Sequence, residues 1–237
     1  MKKYLFYLLG VALLLFACKN ESDKCGPGAV ANSLEEIYIY GKVYNYVTNT
    51  PEANVRLSFL DQIGGSFILK QDELTESNTD GCFVFENQRD VAEVNELIAS
   101  TSNLTPDHLN QSIIAQDEAY LHLYTQQGSS RINGRHKYNS QEEVQIYVAP
   151  AAPMTFINSN GSTENYAVQW EFTDPTLSYS SGGLYAALTA QQTWKMPATT
   201  PVEITIFRSI ASSSNELELI KRDTMTLNWE EAVTFTF

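Results

Sequence analysis

The chain has 237 residues, room for one large β-domain or two small ones, and its 43% apolar content is enough to bury a core, which excludes wholesale disorder. A formal charge of -13 repels phosphate backbones and excludes nucleic acid as a partner. With 13 Tyr and 11 Phe beside plentiful Val, Ile and Thr, the composition favours strands over helices.

Residues 1–18 read MKKYLFYLLGVALLLFAC. Lys2 and Lys3 precede an apolar run, Tyr4 to Phe16, that is shorter than the roughly 20 residues a helix needs to span a bilayer. The run ends in Leu15-Phe16-Ala17-Cys18, which resembles the lipobox of bacterial lipoproteins. In that family the cysteine thiol takes a diacylglycerol and the chain is cut before it. The resemblance implies a signal peptide over 1–17, lipidation at Cys18 and a lipidated flexible tether over 18–33. After Cys18, Lys-Asn-Glu-Ser-Asp-Lys looks like the acidic export tag of some gram-negative lipoproteins. The expected address is therefore the outer membrane, lipid-anchored and exposed at the cell surface, with the periplasmic face as the alternative.

Cys25 and Cys82 remain. An oxidising compartment permits a disulfide between them, and the alternative is two unpaired thiols. No CxxC spacing or Cys/His cluster suggests a metal.

Strand signals begin at Glu36 to Thr48, where apolar and polar residues alternate. Thr48-Asn-Thr-Pro-Glu52 reads as a turn, Asn54 to Leu60 as a second strand, and Gly64-Gly65 as a hairpin into Ser66 to Lys70. Glu73 to Thr79 is a further strand candidate, and Asn78-Thr-Asp-Gly81 turns into a strand over Cys82 to Glu86.

Three pieces of this stretch, Gly41-Lys-Val-Tyr44, Pro51-Glu-Ala-Asn-Val-Arg-Leu57 and Thr79-Asp-Gly-Cys-Phe-Val-Phe85, are similar to the carboxypeptidase regulatory-like domain. The resemblance implies a transthyretin-like β-sandwich in which Gly41 lets the first strand bend, Asp80-Gly81 permits a positive φ, and Phe83 and Phe85 enter the core. It covers about residues 34 to 87 and is nearly silent on function. Cys82 stands where that family usually carries a charged or polar residue.

Asp90 to Ala99 and Pro106 to Ala115 carry apolar residues at mixed helical spacing, and read as a short helical insertion spanning about 88–116. Strands resume at Glu118 to Tyr124 and Glu142 to Val148. Pro150 and Pro153 suggest a boundary, with strands beyond it at Met154–Ile157, Tyr166–Phe172, Val202–Phe207, Glu216–Lys221 and Ala232–Phe237. The expected architecture is all-β: a transthyretin-like sandwich over 34–149 and a second β-sandwich module over 150–237.

Chemistry-bearing patterns are few. His108, His122 and His136 stand in no zinc-peptidase spacing, and there is no nucleophile elbow and no phosphate loop. The expectation is a non-enzymatic protein with no cofactor and no metal. Two features suggest binding. A basic cluster, Arg131-Ile-Asn-Gly-Arg135-His136-Lys137, stands out in an acidic chain and suits an acidic partner, unless it is a solvated loop. Tyr179, Tyr185 and Trp194 suit a glycan platform, unless they pack in a core. Asp223-Thr-Met225 also resembles a short bacterial O-glycosylation sequon, a match too short to carry weight. The expected role is a membrane-anchored surface lipoprotein in adhesion, binding or assembly. The alternative is a glycan-binding accessory lipoprotein of an outer-membrane nutrient-uptake system.

Overall fold

A computed structural model describes Cys25 and residues 39–63, 70–85, 109–127, 130–132, 143–159, 166–177, 179, 191–209 and 217–237. The proposed leader and lipidation site, the Gly64-Gly65 hairpin, Asp90 to Ala99, Tyr185, Arg135 and His136 lie outside the described residues. Thirteen strands are described: β1 Ile39–Asn45, β2 Arg56–Ile63, β3 Lys70–Glu76, β4 Cys82–Phe85, β5 Leu109–Ala115, β6 Tyr120–Gln127, β7 Ser130–Ile132, β8 Val144–Ile157, β9 Tyr166–Phe172, β10 Gln192–Pro197, β11 Val202–Ser209, β12 Leu217–Met225 and β13 Val233–Thr236. No helix occurs among the described residues.

These strands build two sandwiches. In the first, the sheet ordered β4-β1-β8-β6-β7 faces the sheet ordered β3-β2-β5. Its core holds Val43, Leu57, Phe59, Phe83, Phe85, Ile113, Val144, Ile146 and Val148. In the second, β10 and β13 flank the far half of β8 and face the sheet ordered β12-β11-β9. Met154, Phe156, Val168, Trp170, Met196, Ile204 and Phe235 fill that core. β1 alternates strictly, with Ile39, Gly41, Val43 and Asn45 buried and the residues between them half-buried, so one face serves the core and the other stays wet.

β8 belongs to both sandwiches. Its first half pairs in parallel with β1 and antiparallel with β6, and its second half pairs antiparallel with β10 and in parallel with β13. The boundary expected at 149/150 falls inside this strand. Val148, Ala149, Pro150, Ala151 and Ala152 are all buried, where the two cores meet. Small side chains suit that waist because both faces of the strand are covered there. The prolines fit because the waist is bonded through other groups: the Pro150 carbonyl accepts from Ala198 N–H at 2.7 Å, and Ala151 N–H donates to the Ala119 carbonyl at 2.8 Å.

The helix expected over Pro106 to Ala115 is corrected: Leu109–Ala115 is β5, registered antiparallel on β2 from Ile63↔Leu109 to Leu57↔Ala115. Its apolar spacing is ambiguous alone, and the partner strand decides it. Gly41 also works differently from the expectation. A Cβ placed there would lie 1.7 Å from the Val144 carbonyl oxygen, so glycine serves the close approach of β1 to β8. Gly81, with φ of 77°, does sit in a positive-φ turn. In that turn Asn78 Oδ1 accepts from the N–H groups of Asp80 and Cys82, each at 2.9 Å. Cys25 and Cys82 are joined by a disulfide with Cα atoms 5.2 Å apart.

Candidate functional site

The face of the β4-β1-β8-β6-β7 sheet that turns away from the first core carries a row of tyrosines, packed against the second core. Strand alternation puts Tyr40, Lys42 and Tyr44 of β1 on that face, with Tyr46 just beyond. Register then sets Tyr44 beside Tyr147 of β8, and Tyr147 beside Tyr124 of β6. The rings stack across the strands, with centroids 5.6 Å apart for Tyr44–Tyr147 and 4.5 Å for Tyr147–Tyr124. Tyr179 continues the stack 6.4 Å from Tyr124, and Tyr46 meets Tyr124, Tyr147 and Tyr179 edge-on.

A β-bulge makes this row possible. Between His122 and Tyr124 the pairing with β8 slips by one residue, with Leu123 as the extra residue. Before the slip Tyr120 and His122 share the side of Val148, and after it Tyr124 shares the side of Tyr147.

The row does two things. Tyr46 packs 5.8 Å from Phe172, and Tyr179 packs 5.8 Å from Trp170, so the row abuts the second core. Burial, reinforced by Tyr46, raises the Tyr179 phenol. Beside the stack, the Tyr147 hydroxyl donates to Gln145 Oε1 at 3.0 Å, and half-buried Lys42 and Glu143 share the face. Burial raises the Glu143 carboxyl, and the Lys42 charge partly offsets this. The ring faces are turned towards one another, and Tyr124 is buried at the centre of the row.

The opposite side of the joint holds a second set of contacts. The Tyr120 hydroxyl donates to Glu52 Oε2 at 3.1 Å, and Asn45 Nδ2 donates to Glu52 Oε1 at 2.7 Å. Burial first, then the Glu52 charge, raises the Tyr120 phenol. Trp229, 46% exposed, lies edge-on to Tyr120 at 5.5 Å and donates its indole N–H to the Ala119 carbonyl at 2.8 Å. Glu230 N–H reaches the Ala151 carbonyl at 2.9 Å, and Lys195 Nζ donates to the Asp117 carbonyl.

Of the residues singled out from sequence, Tyr179 joins the tyrosine row. Trp194 is half-buried, its ring 5.0 Å from Phe156 of the second core. Arg131 lies on β7, paired with Gln126 of β6. Sequence reasoning missed Tyr44, Tyr46, Tyr124, Tyr147 and Trp229. The even spacing of Tyr40, Tyr44 and Tyr46 was a readable signal for one shared face. Among the described residues no three His, Cys, Asp or Glu side chains converge as a metal site requires.

No protein-family model matches the sequence, and no curated protein matches it. Solved structures with partial likeness include the Bacillus anthracis TIE protein, at 10% identity and a TM-score of 0.27 over 84% of this chain and 33% of that one. The chain thus spans about a third of that protein's length. The shaft pilin SpaA from Lactobacillus rhamnosus GG aligns at 7% identity and a TM-score of 0.27 over 85% and 97% of the two chains. A leucine-rich repeat protein from Bacteroides thetaiotaomicron VPI-5482 aligns at 8% identity and a TM-score of 0.35 over 86% and 26%.

Proposed function

We propose that this chain is a non-enzymatic lipoprotein, anchored through Cys18, whose two fused sandwiches form a stiff stalk for adhesion, binding or assembly at a bacterial surface. The observation that supports this reading is the joint. One strand runs through both cores without a linker, the tyrosine row braces one side of it, and the Trp229 contacts brace the other. Two modules so fixed hold a binding face on one at a set distance and angle from the other, which a flexible linker between them would not do.

The test is fractionation of gram-negative cells expressing the full chain, with mass spectrometry of the peptide bearing Cys18 and protease treatment of intact cells. The reading expects a diacylglyceryl adduct, membrane association lost in Cys18→Ser, and cleavage from outside. A soluble, unmodified wild-type protein overturns the anchor, and protection from external protease moves the protein to the periplasmic face.

A second reading, a glycan-binding accessory of nutrient uptake, draws support from the wet face. Half-buried Lys42, Glu143 and Gln145 form a locally neutral polar patch on an acidic protein, which suits a polyhydroxyl ligand. A glycan array probed with the detergent-solubilised chain, with Tyr44→Ala as control, separates it from a protein-partner role.

A further inference from the structure

The disulfide belongs to one face of the first sandwich. Register partners in neighbouring strands point to the same side of a sheet. Lys42 of β1 pairs with Cys82 of β4 and with Gln145 of β8, so Cys82, Lys42 and Gln145 form one row across three strands. Phe83 and Phe85 turn the other way, into the first core. The row therefore lies on the same face as Tyr44 and Tyr147, one step farther from the waist. Cys25 joins it at Cys82, and both cysteines are buried. Half-buried Glu143 stands close enough for the Lys42 charge to act on its carboxyl.

The bond also sets the length of the tether. Seven positions separate Cys18 from Cys25, a reach of about 24 Å at full extension. To the start of β1 at Ile39 there are 21 positions, or about 70 Å. The bond thus moves the attachment from the start of β1 to β4, and cuts the reach to about a third. Charge then selects what can approach the lipid. The chain as a whole carries -13, which a surface of phosphates repels. Beside the attachment the charges balance: Lys42 offers an ammonium to a headgroup phosphate, and Glu143 offers a carboxylate to a headgroup amine.

We propose that the Cys25–Cys82 bond is a mooring: it holds the first sandwich down on the bilayer, with Lys42, Glu143 and Gln145 against zwitterionic phospholipid headgroups. This rests on the lipid anchor at Cys18 proposed above, and adds which face meets the membrane and what keeps it there. Without the bond the sandwich gains the longer reach, and its acidic body rides away from the lipid.

The test uses the full chain purified from gram-negative cells and placed in phosphatidylcholine vesicles. The vesicles are doped with phosphatidylethanolamine that carries a diazirine on its headgroup. After illumination, mass spectrometry maps the lipid adducts, and flotation and the Cys18 adduct are read on the same sample. The mooring requires peptides bearing Lys42 and Gln145 to be labelled at least about fivefold above the peptide bearing Leu74, which is 59% exposed on the outer side of the other sheet. In Cys25→Ser/Cys82→Ser that excess should fall below about twofold. Lys42→Glu keeps the bond and sets two carboxylates against the phosphates, so it should lower labelling of the Gln145 peptide at least about threefold. If the double variant does not fold, Lys42→Glu still decides. A floating, lipidated chain that labels both sheets alike overturns the mooring alone, and so does labelling unchanged by either variant. An unlabelled row on floating vesicles also overturns it, and leaves that face to the glycan of the second reading. A chain with no lipid on Cys18 overturns the anchor and the mooring together.

Discussion

Replacing Gly41 by alanine attacks the seam on which both sandwiches depend. The added Cβ would stand 1.7 Å from the Val144 oxygen, 2.6 Å from the Val144 carbonyl carbon and 3.0 Å from Phe83 Cε1. Since such contacts settle above about 3 Å, β1 and β8 must part by roughly 1.3 Å at that point, against a normal strand spacing of about 4.8 Å. That breaks the ladder bonds at the start of the parallel register Gly41↔Val144 to Asn45↔Val148. Two or three bonds at about 1 kcal/mol each, plus backbone groups left buried and unpaired, put the loss at 3 to 5 kcal/mol or about that. Urea unfolding of Gly41→Ala against wild type measures it, with Lys42→Ala as control. Lys42 lies on the wet face of the same strand, and its removal should cost less than about 0.5 kcal/mol. A Gly41→Ala protein within 0.5 kcal/mol or so of wild type would refute the parallel β1–β8 pairing in this register.

Reduction of Cys25–Cys82, or Cys82→Ser, should lower stability by up to about 4 kcal/mol, because the bond closes a loop of 57 positions; unfolding with and without reductant checks it. His122 adds a pH dependence of definite sign. Its folded value lies below its unfolded 6.5, so its contribution is complete above 6.5 and is lost as pH falls towards about 4. At full loss this amounts to up to about 3 kcal/mol, visible as a falling urea midpoint that His122→Asn should flatten. Trp229→Phe keeps a ring on Tyr120 and removes the N–H bond to Ala119, for an expected loss of about 1 kcal/mol, whereas Trp229→Ala loses both contacts and should cost more.

The legible part of the fold is where local pattern and tertiary need agree. β9 occupies Tyr166–Phe172, the span its apolar run marks, the Asn78–Gly81 turn follows from residue chemistry, and Phe83 and Phe85 stand in the core as the resemblance implied. β5 was not legible, because Ile113 and Ile114 suit a helix as well as a strand until β2 supplies the partner. β10 was missed because Gln192, Thr193 and Lys195 hide its pairing with β8. β8 reads as two strands, since proline normally punctuates and the bonding of its waist is invisible in sequence. The tyrosine row was half legible: the spacing of Tyr40, Tyr44 and Tyr46 shows a shared face. Their stacking on Tyr147 and Tyr124 depends on register and on a one-residue bulge.

The shared strand also decides how the molecule can be divided. A cut after Ala149 falls between the half of β8 that pairs with β1 and β6 and the half that pairs with β10 and β13, and severs the buried waist that Ala119, Ala151 and Trp229 tie together. Each fragment keeps its own ladder but bares its side of that waist to water, so 34–149 and 150–237 expressed separately should each unfold at lower urea than the intact chain. Heat or denaturant should melt both sandwiches of the intact chain in one step, because a single strand carries both cores.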